Sequence, residues 1–258
     1  MKKKTRTKKT LIIISCIIVL VIIQTLPVFF PKPLGSKSII DKNILLYYEP
    51  GDEKGAGEVF DLLKAKSDEI RTKMSFKSNI PTKVYLYKSQ NQLAIREAGF
   101  ITLTFAPEWH IGDSHNGNVM MVSPYTPVKS HNHDSILNAT LHELVHSIDY
   151  QINPKLSYFY DNGLATYLAD QRPEVSDINS FPVPTLEDMH TENGLKFGQM
   201  GGYAFSYNYI EYLDKTYGWE KVVAYASGKG NYEQVFEKSE ENIYKDWSQY
   251  INKLTNKL

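Results

Sequence analysis

With 258 residues, 42% apolar and 12% aromatic, the chain is long and apolar enough to fill one or two sizeable cores. Its formal charge of zero joins two unlike parts: residues 1–30 carry six Lys/Arg and no acid, which leaves 29 − 6 = 23 basic against 29 acidic residues, net −6, in the remainder. An acidic body argues against nucleic-acid binding, which calls for a basic face, and a single cysteine, Cys16, rules out an internal disulfide framework.

Lys2, Lys3, Lys4, Arg6, Lys8 and Lys9 precede an uncharged stretch at residues 11–30. Twenty residues rising about 1.5 Å each span roughly 30 Å, the thickness of a bilayer core. This pattern predicts a cytoplasmic tail at 1–10, a membrane anchor at 11–30 and a linker at 31–42, with the body outside the cell by the positive-inside rule. The competing reading is a cleaved signal peptide, giving a secreted body. The length of the run and the lack of an A-x-A-like site favour the anchor. A body held together without disulfides outside the cell suits a bacterial surface protein.

In the body, "NILLYYEP" at 43–50 reads as a strand closed by Pro50-Gly51. Val59, Leu62, Leu63, Ile70 and Met74 fall near helical spacing. "TKVYLYKS" at 82–89 alternates as a strand does, "NQLAIREAG" is a short helix ended by Gly99, and residues 100–118 are rich in turn formers. "NVMMVSP" at 118–124 reads as a further strand, at the sheet edge. A long helix over about 135–150 follows, capped by Asp134 or Ser135, with Leu137, Leu141, Leu144 and Ile148 as an apolar stripe. Asn138, His142, His146 and Asp149 form a polar one. The rest reads as helical (158–170, 203–217, 219–227, 231–238 and 241–256), with a long loop at 171–194 of the kind that is often functional.

His142-Glu143-Leu144-Val145-His146 is an H-E-x-x-H motif. Two histidines four apart lie one turn apart on one helix face, so both rings can reach one metal ion. A water on zinc has its pKa lowered toward about 7, and Glu143, beside the metal rather than on it, suits the base that takes its proton. The bland alternative is a solvent-facing helix with two surface histidines. A catalytic zinc keeps three protein ligands, so a third must come from beyond this helix. The thermolysin-like position is Thr166, the aminopeptidase-like position is Ala165 and the metzincin position is Ile152, none of which can serve.

"YFYDNGLATYLAD" at 158–170 supplies a closer pattern. With H-E-x-x-H before it and "GGYAFSYNYIEYLDKTYG" after it, residues 43–254 resemble the gluzincin-type peptidase MA-like domains of bacterial surface proteins. There the motif is followed by a helix of the form E-G-x-A-x-Y-L, whose Glu is the third ligand; Gly163, Ala165, Tyr167 and Leu168 match it. The resemblance implies an α+β, zincin-like fold: a small mixed-sheet N-terminal lobe with the active-site helix, then a mainly helical C-terminal lobe. It implies one metallopeptidase domain over 43–258, Zn2+ as cofactor and a peptide or protein substrate at the cell surface. It carries over His142 and His146 as ligands, Glu143 as general base and Tyr203 as a candidate oxyanion donor. The departure is Asn162, which stands where the family has Glu. Asn162, or Asp161 beside it, would complete the site, although Asp161 also suits a helix N-cap. The rival function is a degenerate zincin-fold module that binds a cell-envelope partner without cutting it, and a purely structural surface domain is a third. His131, His133, His110, His115, Trp109 and His190 are softer candidates, and Asp149 is a possible partner for a ligand histidine.

Overall fold

The computed structural model describes residues 2–255; the side chains of residues 2–7, which include four of the six N-terminal basic groups, lie outside the described residues. The chain begins with α1 (Lys2–Thr25), continued by a 3-10 turn (Leu26–Phe29). Together they form an exposed apolar helix from Lys8 to Phe29, long and apolar enough to cross a membrane. The α-helix proper stops at Thr25, five residues short of the end of the apolar run, where Pro27 enters the turn.

Among the described residues the body is built on one five-stranded sheet, ordered β1-β2-β3-β5-β4. β1 (Lys37–Asp41) pairs antiparallel with β2 (Ile44–Tyr48). β2 runs parallel to β3 (Thr82–Tyr87), and β3 parallel to β5 (Asn118–Val122). The helix α2 (Glu53–Lys73) makes the first parallel crossover and α3 (Gln90–Ala98) lies in the second. β4 (Gly112–His115) closes the far edge antiparallel to β5, with Gly112 opposite Met121 and His115 opposite Asn118.

Two strands depart from expectation. β1 lies where a linker was read, and β4 lies within the stretch read as turns, so the edge strand is 112–115 and "NVMMV" is internal. Gly-Asp-Ser-His has no apolar alternation to mark it as a strand. The turn before β5 does carry a signal: Asn116 and Gly117 both take positive φ (51° and 72°), as an Asn-Gly hairpin requires.

α4 (His133–Ile152) packs on α2, β4 and β5. Its cap is Asn132, whose side chain accepts from Ser135 N while Ser135 Oγ accepts from Asn132 N, a reciprocal box that starts the helix two or three residues earlier than Asp134 or Ser135 would. Leu144, Val145 and Ile148 are buried against the sheet, but so are His142, Glu143 and Asp149. Of the polar stripe only Asn138 is exposed; His142 is buried and His146 largely so, which removes the reading of two surface histidines.

α5 (Tyr158–Leu168) lies between α4 and α9 (Gly202–Tyr217). The approach to α9 is close because position 163 is glycine: a Cβ there would lie 2.7 Å from both Ser206 O and Ile210 Cγ1. Gly163→Ala therefore pushes α5 off α9, and we expect a loss of about 1–3 kcal/mol, measured by chemical denaturation. The expected long loop is interrupted by α6 (Val175–Asn179) and α7 (Leu186–Met189), which bury Ile178 and Met189. α8 (Gly194–Gln199) precedes α9, and α10 (Trp219–Ala226), α11 (Tyr232–Phe236) and α12 (Glu240–Thr255) close the helical side. Trp247 of α12 is fully buried against the rings of Phe159, Phe205 and Tyr209, and one continuous core joins sheet and helices.

Candidate functional site

α4 presents His142, Glu143 and His146 to a cleft. β4 and the preceding Trp109–His110 form one wall; α5, Gln171 and Tyr203 form the other. The helical spacing does what it predicts. His142 Nε2 and His146 Nε2 face each other at 2.9 Å, with the rings nearly perpendicular.

Two imidazole nitrogens at that distance need a proton or a cation between them. His142 Nδ1 donates to Gln171 Oε1 at 2.9 Å, so its Nε2 carries the lone pair. His146 Nδ1 lies 2.8 Å from Asp161 Oδ2, an ion pair off the ideal hydrogen-bond line. His146 is thus the charged ring and donates Nε2–H to His142. The electrostatics agree. Burial and the neighbouring charge of His146 push His142 down to about 3. Burial alone would lower His146 as well, but the carboxylates of Asp161, Glu143 and Asp113 outweigh it and raise it to about 9.

Asn162 is 2% exposed and stands in polar contact with the His142 ring, its Nδ2 donating to Tyr158 O at 2.9 Å. Asn162 lines the cleft with His142 and His146. Asp161, its neighbour, does not converge with the two Nε2 atoms; it sits on the outer nitrogen of His146. Nor is it a helix cap, because Ser157 caps α5 and Asp161 lies a full turn in. Asp149 is buried beside Asp161, and burial and that like charge hold its carboxyl well above the usual carboxylate range. Asp149 therefore acts on His146 only through Asp161.

Glu143 is 9% exposed and lies against β4, where a Cβ on Gly112 would be 3.0 Å from Glu143 Cγ. Burial raises it to about 8; Asp113 and Glu97 add to this and the His146 charge opposes it. Asp113 is itself raised to about 6, by burial first and then by Glu97. Tyr203 is 43% exposed in the cleft, its ring 6.1 Å from His142. The softer histidines have partners of their own, although His110 and His131 also line the cleft. His133 pairs with Glu58 at 2.6 Å, His110 with Glu97 at 2.7 Å and His190 with Glu240 at 2.9 Å, and His131 Nδ1 meets Ser135 Oγ at the start of α4. His115 ends β4, opposite Asn118. Sequence reasoning missed Gln171, Asp113 and Gly112; none lies on a helical period with the motif, and only the position of Gln171 just past α5 hinted at a role.

The spacing of the two imidazole nitrogens is close to what zinc requires. Zn–N bonds of about 2.0–2.1 Å in a tetrahedron set two nitrogens about 3.3 Å apart, so the pair at 2.9 Å needs to open by only about 0.4 Å. Gln171 already fixes the His142 tautomer and Asp161 backs His146, as outer partners of metal-bound histidines do. Among the described residues no three His, Cys, Asp or Glu side chains form a metal-holding group; Asn162, which is none of these, lines the same cleft. Compared with protein-family models and with curated proteins, the chain matches none.

These shifts predict a pH dependence for the metal-free protein. Glu143 (ordinarily 4.5, here about 8) and His146 (ordinarily 6.5, here about 9) are both raised. Each contributes stability that is full below its ordinary value and is lost as pH rises through the raised one. His142, lowered from 6.5, acts in the opposite sense but only below 6.5. Between about pH 6.5 and 9 the sum is a loss on the order of 4–5 kcal/mol, or roughly 10–20 °C in Tm. Thermal unfolding with a chelator present measures it, and saturating zinc should remove the fall, since metal binding favours the deprotonated ligands.

Proposed function

We propose that this chain is a membrane-anchored peptidase of the zincin type, with zinc held by His142 and His146 through Nε2 and by the Asn162 amide oxygen. The observation that carries the reading is the facing pair of Nε2 atoms at 2.9 Å with a buried carboxyl, Glu143, in the same cleft. Bound zinc would supply Lewis-acid polarisation of a water and of a peptide carbonyl. Glu143, poised near neutral pH, is suited to accept a proton and return it to a leaving amine. Asp161 holds His146 in place, and Gln171 does the same for His142. Tyr203, open to the cleft, is the side chain we assign as donor to an oxyanion. The open side of β4 offers unpaired backbone groups to which an extended substrate can add as a strand. The basic tail before α1 puts the body on the outer side of the membrane.

The alternative is a binding module for a cell-envelope partner. One observation favours it: Asn162 is neutral, so the three donors leave the metal charge uncompensated. Bound zinc per chain and hydrolysis of a peptide library, measured on the purified full chain in detergent, separate the readings. Near-stoichiometric zinc with cleavage supports the peptidase. Zinc without cleavage favours the module, and no zinc at micromolar free metal rules out both as zinc proteins.

A further inference from the structure

Along the body, exposed large apolar residues fall singly except in one stretch. Phe100, Ile101, Leu103 and Phe105 are 47%, 58%, 47% and 76% exposed, in and just after a 3-10 turn (Phe100–Thr104). The ten residues 98–107, between Glu97 and Glu108, carry no charge.

This stretch is bonded to the end of the apolar helix. Gln24 Nε2 donates to Ala98 O at 3.1 Å, and Ile101 N donates to Gln24 Oε1 at 2.7 Å. Gly99 makes the contact possible: its φ is +88°, and a Cβ there would lie 2.1 Å from Gln24 O. Residues 98–101 are therefore level with the last turn of α1.

The depth of that level follows from length. From residue 11 to Thr25, α1 supplies 15 apolar-run residues, about 22 Å at 1.5 Å each, where a hydrocarbon core is about 30 Å. The missing 8 Å or so falls just beyond Gln24, where Phe29 and Phe30 are 75% and 59% exposed and Phe30 O accepts from Arg96 Nη1 of α3, the helix that leads into the 100–105 stretch. The stretch also meets the lipid requirement that polar groups be satisfied locally. Thr102 Oγ1 donates to Gly99 O at 2.6 Å, Thr104 Oγ1 to Ile101 O at 2.7 Å, and Ala106 N to Thr102 O at 2.8 Å.

We propose that residues 100–105, with Phe29 and Phe30, sit in the bilayer leaflet where α1 ends and form a second, interfacial hold on the membrane. The proposal rests on α1 spanning the membrane. Chain that leaves this seat runs directly into Trp109, His110 and β4, so the seat ties one wall of the cleft to the membrane surface.

The test uses the full chain in phosphatidylcholine–phosphatidylglycerol vesicles containing lipids with a nitroxide near the headgroup or near the chain end. In a Cys16→Ser background, Ile101→Cys and Phe105→Cys carry an environment-sensitive fluorophore. Ile80→Cys is the control: it is 74% exposed and precedes β3, about 20 Å along that strand from Tyr87, whose hydroxyl donates to Pro31 O. A label on native Cys16 in the parent chain reports on α1. We expect positions 101 and 105 to be quenched by the headgroup-level nitroxide at least about threefold more than position 80, and Cys16 to be quenched by the chain-end nitroxide. Cys16 quenched with 101 and 105 no different from 80 overturns the seat and leaves the anchor standing, whatever else covers the patch. Cys16 unquenched removes the anchor, and the seat with it. All substituted sites in the body are exposed, and thermal unfolding matching the parent confirms that the fold is kept.

Discussion

Glu143→Gln is expected to leave zinc binding nearly unchanged and to lower peptide hydrolysis by about 10²- to 10⁴-fold. The two side chains have the same shape, so Gln fits the slot against Gly112, where a single Cβ would already lie 3.0 Å from Glu143 Cγ. The nitrogens of His142 and His146 and their outer partners, Gln171 and Asp161, are untouched. What is lost is a group that can hold and release a proton near neutral pH, the state to which burial has brought Glu143. The same variant should flatten part of the fall in metal-free Tm between pH 6.5 and 9, because Gln does not titrate there. Elemental analysis for zinc, paired with initial rates on a fluorogenic peptide library, measures both effects. Undiminished cleavage would remove Glu143 from the chemistry and the peptidase reading with it.

Asn162→Glu should tighten zinc binding at least about tenfold. Position 162 is buried and in contact with His142, so a longer, charged side chain there meets the same metal position. One added negative charge about 4 Å from a unit positive charge is worth about 4 kcal/mol at an effective dielectric of 20. Part of that is offset by the neighbouring carboxylate of Asp161, which stands on this side of the site. A net gain of about 1.4 kcal/mol already gives the tenfold. The same crowding should lower the Tm of the metal-free variant, so zinc should shift its Tm more than it shifts the parent's. Competition with a chromophoric chelator gives the affinity. An unchanged or weaker affinity would mean that the third donor is not at position 162.

How much could be read in advance varied with the range of the interaction. α2, β3, β5, α4 and α9 emerged from periodicity because each buries a broad apolar face, and burial writes itself into local spacing. β1 and β4 are edge strands with half-exposed, mixed side chains, so no alternation marks them. The apolar helix was legible, but its stop at Thr25 was not, since that depends on the turn at Pro27 and the docking of Gln24 on residues 98–101. Residues 100–105 read as turns because turn formers and an exposed apolar patch share the same segment.

By itself the sequence determined that two imidazoles would face one point with a carboxyl beside them, because four residues along a helix is a local distance that no packing alters much. It also determined a charge-free helix behind a basic tail. Only the tertiary structure decided where Asp161 and Asn162 stand, the first on the outer nitrogen of His146 and the second buried in the wall of the cleft. Adjacent helical residues point about 100° apart, so the assignment depends on how α5 is rotated about its axis. That rotation is set by Gly163 pressed against Ser206 O of α9 and by the packing of α5 on α4, which turn Asn162 toward His142 and leave Asp161 on the far nitrogen of His146.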